Sequence, residues 1–255
     1  MRGGEAAETL EIRVNLELKA EAAPRAVRRG DVIVAIDVLR CSSTIITALT
    51  NGAKAVIPVE TVREAEKMRE INPEYLLAGE RRGLKPRGFD MGNSPLEFTK
   101  EKVEGREIVL TTTSGTKALR RSEGARWVLV GAFLNARSAA RKALQLAVKE
   151  GLDITLLTAG KRGMFSLEDF ICAGAIAEEL RAAGETTLSD GATAANLAYQ
   201  TAKEDLLGTL RRGEHAQYLV KIGLEEDVEF CSQLNRYEAV PIYRDGAVRL
   251  WNRQL

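Results

Sequence analysis

Short runs of branched apolar residues alternate along the chain with longer stretches whose apolar positions recur every three or four residues. IRVNLEL (12–18) reads as a first strand, and VIVAIDV (32–38) is apolar at nearly every position, as a strand buried on both faces is. STIITALTNGA (43–53) has a helical period and is closed by Asn51-Gly52. AVIPVE (55–60) predicts the next strand and TVREAEKMREI (61–71) the next helix, with Thr61 as N-cap and Glu64 completing a capping box. YLLAGE (75–80) is a third strand of this kind. The second half repeats the theme in EIVLTTTSGTKAL (107–119), in WVLVGAFLNARSAARKALQLAVKE (127–150), and in ITLLTAGKRG (154–163) followed by SLEDFICAGAIAEELRAAG (166–184), a helix with Ser166 as its N-cap. Beyond DGATAANLAYQTAKEDLLGTLRR (190–212), the tail DVEFCSQLNRYEAVPIYRDGAVRL (227–250) predicts short strands joined by turns, with Arg-Asp-Gly marking a hairpin.

Strands alternating with helices of ten or more residues imply a parallel sheet covered on both faces. The tail hairpin makes that sheet mixed. The expected fold is therefore three-layer α/β/α with a largely parallel, mixed central sheet. No fixed-period repeat or Gly/Ser/Pro-rich linker divides the 255 residues, so one domain over 1–255 is expected, with 1–11 a loose extension. Residues 81–99 carry three Gly, two Pro and no clear period; a loop of that length in a compact domain is usually functional or disordered, and its apolar residues argue against disorder.

Composition excludes more than it assigns. The apolar share of 45% supports a real core, and a net charge of +1 gives no reason to expect nucleic acid. The charged N-terminal stretch offers no apolar run for export or membrane insertion, so a cytoplasmic protein is expected. Nothing excludes a homo-oligomer. Cys41, Cys172 and Cys231 form no close pair, and with His215 the sole histidine, neither a zinc cluster nor a Ser-His-Asp triad is indicated. Cys41 near a helix start could have a depressed pKa, but no Cys-x5-Arg loop accompanies it.

In open α/β sheets ligands bind beyond the carboxyl ends of the strands. In IDVLRCSST, Asp37 ends an apolar strand, where an ionised acid needs a cation or a partner. Arg40, Ser42, Ser43 and Thr44 follow at a helix start, which suits an anion. The alternative is an Asp37–Arg40 ion pair with Ser42 or Ser43 merely capping the helix. In TTTSGTKAL, successive N–H groups could cradle phosphate oxygens beside Lys117, or the turn could be an ordinary cap; it is not a Walker A loop. The loop GERRGLKPRGFDMGNSP opens at Glu80 and is basic through Arg81, Arg82, Lys85 and Arg87. In TAGKRGMFSLEDF, Lys161 and Arg162 occupy a glycine-flanked turn, and Glu168 and Asp169 fall in a first helical turn, where at least one serves the helix dipole. Asp190 precedes another helix, where it could be a plain N-cap. Acids suit a hard cation such as Mg²⁺, and hydroxyls, N–H groups and cations suit phosphate. Together they point to metal-assisted phosphoryl chemistry.

IDVLRCSSTIITALTNGAK, VIPVETVREA, LLAGERRGLKPRGFDMGNSPLEFT, VLTTTSGTKAL, VLVGAFLNA, SLEDFICAGAI and DVEFCSQLNRYEAVP, in this order, resemble the 2-phosphosulfolactate phosphatase (ComB) family over residues 30–243. The resemblance implies an α/β, Mg²⁺-dependent phosphomonoester hydrolase that converts (R)-2-phospho-3-sulfolactate to (R)-3-sulfolactate and phosphate, a step of coenzyme M biosynthesis. It carries Asp37 and Arg40 onto the family's Asp-Val-Leu-Arg block, Glu80, Arg81 and Lys85 onto its Gly-Glu-Arg loop, and Asn93 and Ser94 onto Gly-Asn-Ser-Pro. Thr113, Ser114, Gly115 and Thr116 fall on its Thr-rich turn, Asp169 on Leu-Glu-Asp-Phe, and His215 on a family histidine. Departures are Cys41 for an expected Ala, Arg82 and Ser114 for expected Asn, and Ala216 for an expected Gly. The expected site is thus Asp37, Asp169 and His215 in catalysis. Mg²⁺ is expected on Asp37 and Asp169 with Glu80 or Asp190, His215 as the proton donor to the leaving group, and either water or a carboxylate as nucleophile. Substrate contacts are expected from Arg40, Ser42, Thr44, Arg81, Lys85, Asn93, Ser94, Thr113, Ser114, Gly115, Thr116, Lys117 and Lys161.

Overall fold

A computed structural model describes residues 11–251. Apart from Glu11, the extension expected at 1–11 lies outside the described residues. The strands are β1 (Ile12–Glu17), β2 (Val32–Ile36), β3 (Ala55–Val59), β4 (Leu76–Gly79), β5 (Glu107–Thr111), β6 (Val128–Gly131), β7 (Ile154–Thr158), β8 (Thr186–Leu188), β9 (Pro241–Arg244) and β10 (Ala247–Leu250). The α-helices are α1 (Ala23–Arg29), α2 (Cys41–Thr50), α3 (Val62–Ile71), α4 (Lys100–Val103), α5 (Gly115–Arg121), α6 (Ala136–Glu150), α7 (Leu167–Ala183), α8 (Asp190–Ala202), α9 (Leu206–Arg211), α10 (Glu214–Lys221) and α11 (Glu225–Cys231).

The strands form one sheet in the order β4-β5-β3-β10-β9-β6-β2-β7-β1-β8. β4, β5 and β3 are mutually parallel, as are β6, β2, β7, β1 and β8. The hairpin β9–β10 stands between the two blocks and pairs antiparallel with each. The sheet is therefore mixed and mostly parallel, as expected, but its antiparallel strands are central. β2 and β7 are buried at every position, which explains their unbroken apolar sequences.

Two antiparallel junctions, β3–β10 and β9–β6, flank the hairpin besides the one within it, so the parallel blocks run in opposite senses along the ladder. Segments that leave the carboxyl ends of strands in both blocks nonetheless line one cavity. Ile45, Ile46 and Leu49 of α2 share one core with Ile33 of β2, Val56 of β3, Ile108 of β5, Val128 of β6 and Val248 of β10. α2 thus packs against strands of both blocks and against the hairpin between them. A second core packs α6, α7 and α8 against β1, β2 and β7.

Local signals locate most element ends. Thr61 accepts the Glu64 N–H, while the Glu64 carboxylate reaches the N–H of Glu60, one residue upstream of the capping-box partner. Ser166 caps α7 through the Asp169 N–H. Asn51 ends α2, and Gly52 follows with φ +94°. One expectation is overturned: Asp227, Val228 and Cys231 belong to helix α11, not to a strand. Their burial follows a helical spacing, and the three acids at positions 225–227 favour a helix N-terminus, which outweighs the strand preference of Val228 and Phe230. Among the described residues no helix is long and apolar enough to cross a membrane.

Candidate active site

The segments that leave β2, β4, β5 and β7, together with α10, enclose a cavity of about 360 Å³. Asp37 lies just beyond β2. Its Oδ1 accepts the Cys41 N–H (3.1 Å), its carbonyl accepts the Ser42 N–H (2.8 Å), and its own N–H donates to Ser42 Oγ (3.0 Å). Asp37, rather than a serine, takes the first N–H of α2, whose N-cap position is Arg40. Asp169, in the first turn of α7, accepts the Val38 N–H through Oδ1 (2.8 Å). One carboxylate oxygen of each acid is thereby tied to the backbone of the same short loop.

The alternative reading, an Asp37–Arg40 ion pair, does not hold among the described residues. Arg40 donates to Asp227 of α11 (2.6 Å) and to the carbonyl of Gly83 (2.7 Å), and both charged side chains are almost wholly buried. Ser94 Oγ donates to the other Asp227 oxygen (2.5 Å). Asp227 is the partner that sequence reasoning missed. It stands 187 residues from Arg40, in a segment read as a strand.

Burial dominates the electrostatics. The Asp37 carboxyl stands at about 7, raised first by burial and then by the Glu80 and Glu168 charges, against the lowering effect of the Cys41 N–H and Arg40. Asp169 is raised well above the ordinary range, first by burial and then by Asp37 and Glu168. Glu168 is raised by burial. His215 is pushed down to about 4, by burial and then by Lys161 and Arg40. Burial and the neighbouring Asp37 push the Cys41 thiol well up, so the depressed thiol considered from sequence is reversed.

The cavity wall gathers Asp37, Arg40, Glu80, Asn93, Thr113, Ser114, Lys161, Asp169 and His215 from the expected set. The others lie elsewhere. Glu80 is committed to protein donors: Oε1 takes the N–H and hydroxyl of Thr113, and Oε2 takes the Gly83 N–H, so it pins two loops and has little left for a metal. Arg81 turns away to the carbonyls of Glu60 and Glu80 and to Thr111 Oγ1. Lys85 is exposed, with its Nζ 3.5 Å from the Asp90 carbonyl. Thr44 holds the Asn93 carbonyl, and Thr116 is bonded to Thr112. Gly115 is needed for close approach: a Cβ there would stand 2.6 Å from Asp37 Oδ2. Lys117 lines an adjoining pocket with Glu21 and Arg162. Asp190 is exposed at the start of α8 and takes no part in the cavity wall.

Residues outside the expected set also line the cavity: Arg82, Arg162, Ser166, Glu168 and Tyr218. Sequence leaves open which of Glu168 and Asp169 serves the helix dipole; both are buried in the cavity wall. Asn93 Oδ1 is buried without a hydrogen-bond partner among the described residues.

The sequence profile described as 2-phosphosulpholactate phosphatase matches residues 18–246. The chain belongs to the 2-phosphosulfolactate phosphatase family. A family relative in Clostridium acetobutylicum, named a probable 2-phosphosulfolactate phosphatase, is 38% identical over 239 residues, which span 93% of this chain and all of the relative. One of the same name in Thermotoga petrophila is 44% identical over 213 residues, covering 84% of this chain and 89% of the relative. The matched region includes every segment that builds the cavity, from β2 to α10.

Proposed function

We propose that the protein hydrolyses (R)-2-phospho-3-sulfolactate to (R)-3-sulfolactate and phosphate, in the cytoplasm and with Mg²⁺ as cofactor, as in coenzyme M biosynthesis. The observation that carries this reading is the charge layout of the cavity. Asp37, Glu80, Glu168 and Asp169 are buried carboxyls, and Arg82, Lys161 and Arg162 bring cations to the same wall. A phosphomonoester that bears a carboxylate and a sulfonate needs several cations. Buried carboxylates facing a phosphate make sense only beside a cation.

The donor set fits a magnesium ion. Asp37 and Asp169 each keep one oxygen outside the backbone bonds described, and Asn93 Oδ1 is an orphaned acceptor. Among the described residues no three His, Cys, Asp or Glu side chains form a metal cage by themselves. That suits Mg²⁺, which retains waters and takes substrate oxygens beside one or two carboxylates. Asp37 and Asp169, with Asn93, would hold it, and when bound it supplies neutralisation and polarisation of the phosphoryl group.

The chain's own residues carry the remaining roles. Arg40, oriented by Asp227, presents its other N–H groups to the phosphoryl oxygens. His215 is neutral at pH 7, which suits it to accept a proton from the attacking water and unsuits it as the expected imidazolium donor. As the water oxygen bonds to phosphorus, the bond from phosphorus to the C2 oxygen breaks. Glu168, which burial biases toward its protonated form, gives the leaving alkoxide its proton.

The test is phosphate release from 2-phospho-3-sulfolactate, 2-phospholactate and 3-phosphoglycerate, with Mg²⁺ and with chelator. The sulfonated ester should turn over best, and only with metal. No release from any ester would sink the reading. Preference for another ester would move the substrate, and chelator-resistant turnover would remove the metal.

A further inference from the structure

Two short segments of the cavity wall are built alike. Arg81-Arg82-Gly83-Leu84 follows β4, and Lys161-Arg162-Gly163-Met164 follows β7. Each runs cation, arginine, glycine, apolar residue. Each closes on itself through reciprocal backbone bonds: 2.9 and 3.2 Å between Arg81 and Leu84, and 2.9 and 3.0 Å between Lys161 and Met164. The central pairs have φ of +54° and +76° in one turn and +52° and +77° in the other. Positive φ at both central positions is the mark of the type I′ turn, which normally takes Asn, Asp or Gly first.

Arginine is a costly choice there, because its Cβ crowds the left-handed conformation. Four non-glycine residues have positive φ among the described residues: Arg82, Arg162, Asn235 and Asp245. Asn and Asp tolerate that region. The two arginines do not gain from it, and both line the cavity. Unfavourable backbone kept at a site is strain with a use.

Both turns are fixed by their surroundings. Tyr218 donates to the Arg82 carbonyl (2.9 Å), Arg40 and Glu80 hold the two backbone groups of Gly83, and the Arg162 N–H donates to Ser114 Oγ (3.3 Å). Their guanidinium groups, by contrast, have no hydrogen bond or ion pair among the described residues, whereas buried Arg40 is matched by Asp227. Two unmatched guanidinium groups thus stand on fixed turns in the wall of one cavity.

We propose that Arg82 and Arg162 are specificity residues: a matched clamp that binds the two non-reacting anionic groups of the substrate, one arginine to each. This rests on the phosphatase reading above and deepens it. It requires the substrate class to be phosphomonoesters with two further anionic groups, which fit guanidinium forks bidentately.

The test uses Arg82→Gly and Arg162→Gly, since glycine takes positive φ without strain and removes the guanidinium. A merely structural role predicts equal or better thermal stability and unchanged kinetics. The clamp predicts undiminished stability, with kcat/KM for 2-phospho-3-sulfolactate falling about tenfold or more in each variant. For 2-phospholactate, which has one extra anion, one variant alone should lose activity. For p-nitrophenyl phosphate, which has neither extra anion, the loss should be the smallest of the three. Binding of 3-sulfolactate by calorimetry needs no turnover, so it separates the two proposals. If the wild-type protein binds sulfolactate and both variants lose it, the clamp stands even where no ester is hydrolysed. Absence of wild-type binding, or unchanged binding and selectivity in both variants, overturns it.

Discussion

Asp37 joins the end of β2 to the start of α2, and its carboxyl is raised to about 7 because it is buried beside Glu80 and Glu168. A folded pKa above the unfolded value of 3.8 fixes the sign of its linkage. Its contribution to stability is complete below the unfolded pKa and is lost as pH rises through about 7. Asp37→Asn keeps an oxygen for the Cys41 N–H and removes the buried charge. The variant should therefore melt at an equal or higher temperature than the wild type at pH 8, while Mg²⁺-dependent phosphate release falls by roughly a thousandfold. Full activity in the variant would displace Asp37 from the centre of the site. The same raised carboxyl makes metal binding pH-dependent. Mg²⁺ should bind more weakly below pH 7 and release a proton there, so the calorimetric enthalpy should differ between buffers of different ionisation heat at pH 6.5. Equal enthalpies in the two buffers would mean the metal does not use this acid.

Between elements, the Arg40–Asp227 pair ties the loop after β2 to α11, with Ser94 and Gly83 drawn into the same network. Removing one partner of a buried pair leaves an uncompensated charge. Asp227→Ala should cost about 3–5 kcal/mol in denaturant unfolding and raise KM as Arg40 loses its aim. A loss below about 1 kcal/mol with unchanged KM would make the pair incidental. This network marks the limit of what could be read from sequence. The strand-end rule found Asp37, Glu80, Thr113 and Lys161 because local pattern places strand ends. Periodicity could not show which of two adjacent arginines turns inward: Arg81 goes to backbone carbonyls while Arg82 lines the cavity. Nor could it pair Arg40 with an acid on a helix mistaken for a strand. Side-chain direction within a tight turn, and contacts across nearly two hundred residues, are tertiary facts.

Across the whole molecule, the last strands of the chain occupy the middle of the sheet. Tyr243 and Val248 are buried, and β10 joins β3 while β9 joins β6. The hairpin itself was legible from Arg-Asp-Gly; its central place was not, because turn chemistry says which strands are neighbours in sequence and nothing about what flanks them. The consequence is mechanical. The two parallel blocks meet only through β9 and β10 in the ladder, so the cavity, whose walls come from both blocks, depends on residues 241–250. The closing pairings are long-range and join early and late parts of the chain, such as Val56 with Val248. Residues near a chain terminus usually fray and exchange their amide hydrogens early. Here the hydrogen-bonded amides of β9 and β10 should exchange only through global unfolding, at the rate of β2 and β7. Val248→Asp, which places a charge where the two blocks join, should abolish cooperative unfolding of both together. Fast exchange in β9 and β10 beside slow exchange in β2 would show instead that the blocks hold without them, and that the hairpin rests on a sheet already formed.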